Sequence, residues 1–372
     1  MSELAELTAA LVSIDSVNPD LVPGGAGEHR IAQVVADWLD RRGLGVQVQR
    51  TSAGRPNVIG QASPANGGPT LLFLGHSDTV GVEGVKDPFG ARLEGGRLHG
   101  RGAYDMKSGL AAAMCAAAET ADLDLGVVIA AVCDEEAGGT GTRALLELID
   151  PPDAAIVVEP TDLNVAIAHK GFVGFEIETS GVAAHGSRPD LGVDAILAMG
   201  PLIAGLEDLG HELQQGEAHP LLGSASLHAS LIEGGQEASS YPARCLLTGE
   251  CRTLPGRGSE AGLEEVVRRS SVNAELRITH RGDPFETRED ADVVQVVRRH
   301  SGGEIVGLGF WADSARLGAR RIPTVLFGPK GGGAHAATEW VDLESVHRVR
   351  DVLVRTAQDI CQMGGLLPTS AA

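Results

Sequence analysis

Aromatic residues are scarce in this chain: Phe, Trp and Tyr together make up 3% of its 372 residues. A core of that composition must rest on Ala, Val, Leu and Ile, which suits buried parallel strands and the helices that cover them. Basic charge is also scarce, with 30 Lys and Arg against 50 Asp and Glu and a formal net charge of −20. A nucleic-acid binder needs a basic stripe, so that class of partner is excluded. The negative charge is spread along the chain and reads as a solvated acidic surface. The five cysteines (Cys115, Cys133, Cys245, Cys251 and Cys361) are scattered and form no Cys-x-x-Cys. They suit a reducing cytoplasm and not a disulfide scaffold. No apolar run reaches the ~18 residues of a membrane span. The N-terminal segment carries Glu3 and Glu6 where a signal peptide has Lys or Arg. The expectation is therefore a cytoplasmic protein without a membrane partner.

Hydrophobic residues make up 43% of the chain, and its length exceeds one ordinary core, so two domains are expected. Ile31, Val34, Val35, Trp38 and Leu39 recur at helical spacing within an expected helix over 27–42. Another helix is expected over 3–14, and strands over 45–50, 56–61 and 70–75. Residues 91–99 read as a hairpin turning at Gly95-Gly96. An Ala-rich helix over 107–120 precedes strand 126–132, helix 140–149 and strand 154–158. The pattern changes near residue 172, where Phe172, Val173, Phe175 and Ile177 alternate with Glu176 and Glu178 as in a half-exposed strand. A helix near 192–208, strands near 224–233 and 242–253, a helix near 259–270 and a strand near 274–280 complete a β-α-β-β-α-β order. That is the split βαβ arrangement of a small open-faced, ferredoxin-like sheet. Helix 290–300 and strand 324–327 restore the α/β pattern. The fold class expected is α/β, with a mostly parallel central sheet in a discontinuous domain of residues 1–172 and 283–372. A second domain, 173–282, is inserted into it.

Acids and histidines gather at the ends of these strands. His76-Ser77-Asp78 follows Leu71-Leu72-Phe73-Leu74-Gly75, and Asp105 precedes the Ala-rich helix. Asp134-Glu135-Glu136 follows strand 126–132, Glu159 follows 154–158, and His335 ends a run of glycines, Gly331-Gly332-Gly333. Loops at strand ends of an open α/β sheet converge on one crevice. Singly, each residue has an ordinary explanation. Asp105 could cap a helix, and acids favour helix N-termini. Together, two His and three carboxylates with a spare Glu suit a two-metal hydrolytic site. Asp78 would fix the His76 tautomer as an outer partner.

Five segments carry a specific resemblance: Gly75-His76-Ser77-Asp78-Thr79-Val80, Gly100 to Gly109, Asp134-Glu135-Glu136, Glu159-Pro160-Thr161 and Gly331 to His335. In this order the chain resembles the co-catalytic zinc family of acetylornithine deacetylase, succinyl-diaminopimelate desuccinylase, aminoacylase and carboxypeptidase G. The resemblance implies a metallopeptidase-type catalytic domain with two divalent metal ions, Zn²⁺ in the family, with Co²⁺ or Mn²⁺ as possible occupants. Asp105 would bridge the metals, His76 and Glu159 would complete one, and Glu136 and His335 the other. Glu135 would be the general base, and the Asp105–Met106 peptide would be cis. His185, in Ala184-His185-Gly186-Ser187, matches a lid histidine that reaches the partner's site in dimers. Arg252 matches a residue that grips a substrate carboxylate, and the glycine run would let backbone amides of Gly331, Gly332 and Gly333 approach the same anion. Family members often have Asn-x-x-Pro before that strand, where this chain has Ser239-Ser240-Tyr241-Pro242. The implied activity is hydrolysis of the amide bond of an N-acyl amino acid by a homodimer joined through the inserted lid domain. A dipeptidase or carboxypeptidase with the same centre is the alternative, and a catalytically silent metal-binding protein a further one.

Overall fold

The structure, a computed structural model, describes residues 2–64 and 67–363. The chain opens with helices α1 (Glu3–Val12) and α2 (His29–Arg41) and strands β1 (Gly45–Arg50), β2 (Pro56–Ala62) and β3 (Thr70–His76). A short hairpin follows, β4 (Arg92–Glu94) and β5 (Arg97–His99), then α3 (Lys107–Glu119), β6 (Gly126–Val132), α4 (Thr140–Leu148), β7 (Ala154–Val157) and β8 (Val165–His169). Next come β9 (Gly171–Ser180), α5 (Ala195–Gln215), β10 (Ser226–Gly234), β11 (Arg244–Thr253), α6 (Glu260–Ser270), β12 (Ala274–Gly282) and β13 (Phe285–Glu286). The last stretch holds α7 (Asp292–Ser301), β14 (Ile305–Leu308), α8 (Ser314–Ala319), β15 (Thr324–Leu326), β16 (Gly331–Gly332), β17 (Trp340–Asp342) and α9 (Leu343–Met363). Two compact units emerge: residues 1–167, 287–306 and 312–372, and residues 168–286 with 307–311.

In the first unit a sheet runs β1-β2-β6-β3-β7-β15-β8. Pairing is parallel from β6 through β3 and β7 to β15, and antiparallel at β1–β2, β2–β6 and β15–β8. The sheet is thus mixed, and the mostly parallel expectation holds only at its centre. Of the antiparallel pairs only β1–β2 is a short hairpin, from Arg50 to Pro56, while β2–β6 and β15–β8 join strands far apart in the chain. Leu71, Leu72, Phe73 and Leu74 are fully buried, and each contributes roughly 1.5–3 kcal/mol of apolar burial. Their unbroken apolar run reflects a strand covered on both faces. Helix α3 is buried along most of its length because Ala111, Ala112, Ala113, Ala116 and Ala117 let neighbouring elements close on it from several sides. Gly109 permits the closest approach: a Cβ there would lie 2.1 Å from the Val158 carbonyl oxygen. A smaller sheet, β16-β17-β5-β4, joins the segment before Asp105 to the loop that carries His335.

In the second unit the strand order is β10-β11-β9-β12, all antiparallel. Along β9, Gly174 and Thr179 are buried, Phe172, Glu176 and Glu178 are only partly so, and the buried apolar side chains are Val173, Phe175 and Ile177. With Met199, Leu202, Leu206, Leu247 and Leu263 they form a core between the sheet and helices α5 and α6. Helix α5 runs to Gln215, beyond the expected end near 208, and keeps Pro201 inside it. Leu209 is buried and extends the apolar stripe past the expected boundary. Among the described residues no helix is long and apolar enough to cross a membrane.

Candidate active site

The parallel centre of the sheet explains why distant residues meet. Strands β3, β6 and β7 run the same way, so their C-terminal ends open onto one side. His76 ends β3, Asp134-Glu135-Glu136 follows β6, and Glu159 lies two residues past β7. Asp105 stands just before α3, and the Asp105–Met106 peptide is cis. His335 projects from the loop between β16 and β17.

Asp105 lies between two groups of donors. Its Oδ1 is 3.2 Å from His76 Nε2, and Glu159 Oε1 lies 3.9 Å from the same nitrogen. Its Oδ2 is 3.3 Å from His335 Nε2, which lies 3.2 Å from Glu136 Oε2. One ligand atom each of His76, Asp105 and Glu136 falls within 4.8 Å of the others, a spacing that can hold a metal ion. Glu135 stands beside this group, its Oε2 4.0 Å from His76 Nε2.

The charges are crowded. Burial raises the pKa of Glu135 and Glu159 well above the usual carboxylate value, and neighbouring carboxylates push in the same direction. Glu136 is raised too, by burial and then by Asp105. Burial would depress His76, but its hydrogen bond with Asp105 and the charges of Glu159 and Glu135 hold it well above its ordinary value. His335 is raised to about 10 by its bonds to Asp105 and Glu136. Asp105 is lowered despite its burial, because both imidazoles donate to it. Two imidazole nitrogens and three carboxylates form an N/O donor set that fits Zn²⁺, Co²⁺ or Mn²⁺, and a divalent cation would offset the crowded negative charge.

Asp78 plays a different part from the one expected of it. His76 Nδ1 lies 3.0 Å from the Asp78 main-chain oxygen but 3.6 Å from its carboxylate. A carbonyl oxygen only accepts, so Nδ1 carries a proton and Nε2 faces Asp105. The Asp78 carboxylate instead accepts from the backbone amides of Glu135 and Glu136, at 3.1 and 3.2 Å.

Other residues support the site: Glu339 and Asp313, which no motif marked, and Lys107 and the glycine run, which lie inside the motifs without an assigned structural part. Glu339 is buried and accepts from the amides of Gly102, Tyr104 and Asp105 and from Arg101. Before Trp340 it looks like any surface acid, and only its burial gives it away. Asp313 is buried as well, holds Thr142 Oγ1 at 2.6 Å, and adds its charge to Glu135 and Glu159. Lys107 is buried at the start of α3, donates to the Ile14 carbonyl oxygen at 2.7 Å, and is lowered by burial to about 7. Steric closeness accounts for two glycines of the Gly331-Gly332-Gly333 run. A Cβ on Gly331 would lie 2.4 Å from the Trp340 carbonyl oxygen, and one on Gly333 would lie 1.8 Å from that of Thr338.

His185 and Arg252 belong to the second unit. His185 is exposed, and its Nδ1 accepts from the Ser187 amide at 3.2 Å, with Ser187 Oγ at 2.8 Å. The neutral ring then carries its proton on Nε2. Arg252 pairs with Glu250 at 2.8 Å and lies over the Phe172 ring, 5.8 Å from its centroid.

Comparison with known proteins gives a consistent result. Residues 72–359 match the model of peptidase family M20/M25/M40. Acetylornithine deacetylase of Myxococcus xanthus is 30% identical over 320 residues, covering 82% of this chain and 83% of that protein. Among solved structures, the M20 family metallo-carboxypeptidase Sso-CP2 of Sulfolobus solfataricus aligns with a TM-score of 0.77 at 18% identity, over 97% of this chain and 100% of that one. The YXEP protein of Bacillus subtilis, described as a dinuclear metal-binding peptidase of the M20 family, aligns with a TM-score of 0.72 at 16% identity, over 96% of this chain and 98% of that one. At those identities the two structures speak for the fold, whereas the family match and the Myxococcus relative carry further: this chain belongs to peptidase family M20/M25/M40.

Proposed function

We propose that the chain is a metal-dependent amidohydrolase that removes the acyl group from an N-acyl amino acid, with two divalent metal ions at Asp105. The observation that carries this reading is the division of donors about one carboxylate: His76 and Glu159 on the Oδ1 side, Glu136 and His335 on the Oδ2 side. When bound, the two cations, Zn²⁺ in the first instance, would activate a water and polarise the scissile carbonyl. Glu135 then acts as general base. It takes a proton from the attacking water and delivers it to the leaving amine nitrogen as the C–N bond breaks. Its burial supports the role, because desolvation raises the proton affinity of a carboxylate that must take up a proton and pass it on. Asp78 holds the backbone of Glu135 and Glu136 in place. His185 would donate from Nε2 to the developing oxyanion, in the site of a partner subunit. Arg252 would grip the substrate α-carboxylate, assisted by backbone amides of Gly331 to Gly333.

The second unit is read as a lid and dimerisation domain. Strand β10 is an edge strand with Leu231 and Ile232 exposed, and Leu197 and Ile203 are exposed on α5. Such a face calls for cover, and a second copy would supply it. Free thiols at all five cysteines support a reducing, cytoplasmic setting. The substrate class follows the Myxococcus relative, while the peptidase descriptions of the structural neighbours favour a dipeptidase or carboxypeptidase with the same centre. A panel of N-acetyl and N-succinyl amino acids and dipeptides separates the two.

The decisive variant is Glu135→Gln. It should keep its metal and its fold while kcat falls about 10²–10⁴-fold. Near-normal turnover by a metal-loaded Glu135→Gln enzyme would remove the proposed mechanism.

A further inference from the structure

Beneath the Glu135–Glu136 turn lies a buried polar network that takes no direct part in the hydrolysis. Arg55, Glu28, Asn18, Asp78 and Asp134 are all at most 6% exposed. Arg55 forks onto Glu28: Nε donates to Oε2 at 3.0 Å, and Nη2 donates to Oε1. Its Nη1 donates to Asp134 Oδ1 at 2.7 Å, to Asn18 Oδ1 at 3.1 Å and to Asp20 Oδ2 at 2.7 Å. A guanidinium only donates, so it obliges Asn18 to turn its oxygen inward and its amide nitrogen away. That nitrogen then donates to Asp78 Oδ2 at 2.8 Å and to Asp134 Oδ1 at 3.1 Å.

Both carboxylates control the same turn. Asp78 accepts the amides of Glu135 and Glu136. Asp134 stands at φ +64°, a left-handed conformation uncommon for a residue with a side chain. Its carboxylate is held on the other oxygen by Thr140 Oγ1 at 2.6 Å. We propose that Arg55, anchored by Glu28, is the positioning residue that sets the Glu135–Glu136 turn, acting through Asn18 on Asp78 and directly on Asp134. The Arg55 side chain bonds Glu28, Asn18, Asp20 and Asp134, none of them a proposed metal ligand. It fixes where two adjacent carboxylates point, and with them the proton-transfer geometry.

The inference rests on the reading of Glu135 as base and Glu136 as ligand, and its test separates the two. Co²⁺-reconstituted wild type, Arg55→Lys, Arg55→Met and Asn18→Ser are compared for kcat, KM, melting temperature and the visible cobalt spectrum. Lysine keeps the charge and loses the fork, so it should not rescue. All three variants should lose roughly 10–100-fold in kcat at equal metal loading. KM should stay within about threefold, and the cobalt bands should shift as the Glu136 side of the site relaxes. A merely structural role would lower the melting temperature but leave the spectrum and the kcat per loaded site unchanged. If the Arg55 variants fail to fold, Asn18→Ser, which leaves the Arg55–Glu28 pair intact, decides the matter. Wild-type kcat and spectrum in folded, loaded Arg55→Lys or Asn18→Ser overturn the inference. If Glu135→Gln is inactive while those variants behave as wild type, this inference alone falls. If Glu135→Gln stays active, the reading of Glu135 falls, and the cobalt spectrum alone decides on Arg55.

Discussion

Glu339 offers the sharpest test of how the ligand loops are tied together. Its two oxygens divide four donors. Oε1 accepts from the Tyr104 and Asp105 amides at 2.8 and 3.1 Å, and Oε2 accepts from Arg101 Nη1 at 2.6 Å and the Gly102 amide at 3.1 Å. In Glu339→Gln one oxygen becomes an amino group that cannot accept. With the remaining oxygen toward Arg101, the Tyr104 and Asp105 amides face a donor, and each orphaned buried group costs about 1–3 kcal/mol. With the oxygen turned the other way, Arg101 and the Gly102 amide face a donor instead, and in both orientations buried Arg101 loses its counter-charge, a loss of about 3–5 kcal/mol. Either orientation predicts a destabilisation of about 3–5 kcal/mol. Urea unfolding in the presence of a chelator measures this without any contribution from bound metal. Arg101→Met and the double variant complete a cycle, and the double variant should lose clearly less than the sum of the singles. Repeating the series with metal should widen the gap, because the Asp105 amide is one of the groups released. A Glu339→Gln protein within about 1 kcal/mol of wild type in chelator, or a strictly additive cycle, would refute the buried carboxylate as the clamp.

Two further outcomes are expected. Without cation, His335 is held at about 10 and His76 well above its usual value, so both carry a proton at pH 7. A metal must displace those protons to reach the Nε2 atoms, so binding should release at least one proton at pH 7 and weaken as pH falls. Calorimetry in buffers of different ionisation enthalpy counts them, and a count of zero would contradict this picture of two protonated imidazoles. Leu197→Lys combined with Leu231→Lys places charge on exposed apolar positions of α5 and β10, and should convert a dimer into a monomer in sedimentation velocity. A wild type that is monomeric at micromolar concentration and fully active would remove both the dimer and the donation by His185 across subunits.

The elements that carry the ligands were legible because their patterns are simple. The runs at 71–75, 126–132 and 154–158 carry no polar side chain, and the structure makes them the buried parallel centre of the sheet. Helix α3 follows from its alanines. Other elements left weaker marks. Strand β8, Val165–His169, is five residues long and is followed after a single residue by β9, so no turn signal separates the two. The expectations end at His335, although Val346, Val349, Leu353 and Ile360 recur at helical spacing and form the buried face of α9. Strands β16 and β17 have two and three residues, and their existence depends on pairing with a hairpin far back in the chain.

Among the site residues, legibility divides along a physical line. His76, Asp105, Glu136, Glu159 and His335 offer lone pairs from the ends of elements, and each stands in a short motif that restricts its neighbours. Asn18, Arg55 and Glu339 act on the backbone or on other side chains across long separations, as between Asn18 and Asp78, or Glu339 and Asp105. Local sequence imposes no constraint on such a partner, because any chain segment that reaches the spot could supply it. The need for one is nevertheless set by the site. Several buried carboxylates in one crevice repel each other, and each of those not facing a histidine must be held by donors that cannot be titrated away. Backbone amides meet that need for Asp78 and Glu339, and a guanidinium meets it for Asp134. A sequence that places Glu135 beside Glu136 therefore implies a set of outer donors, while leaving their identity to the fold.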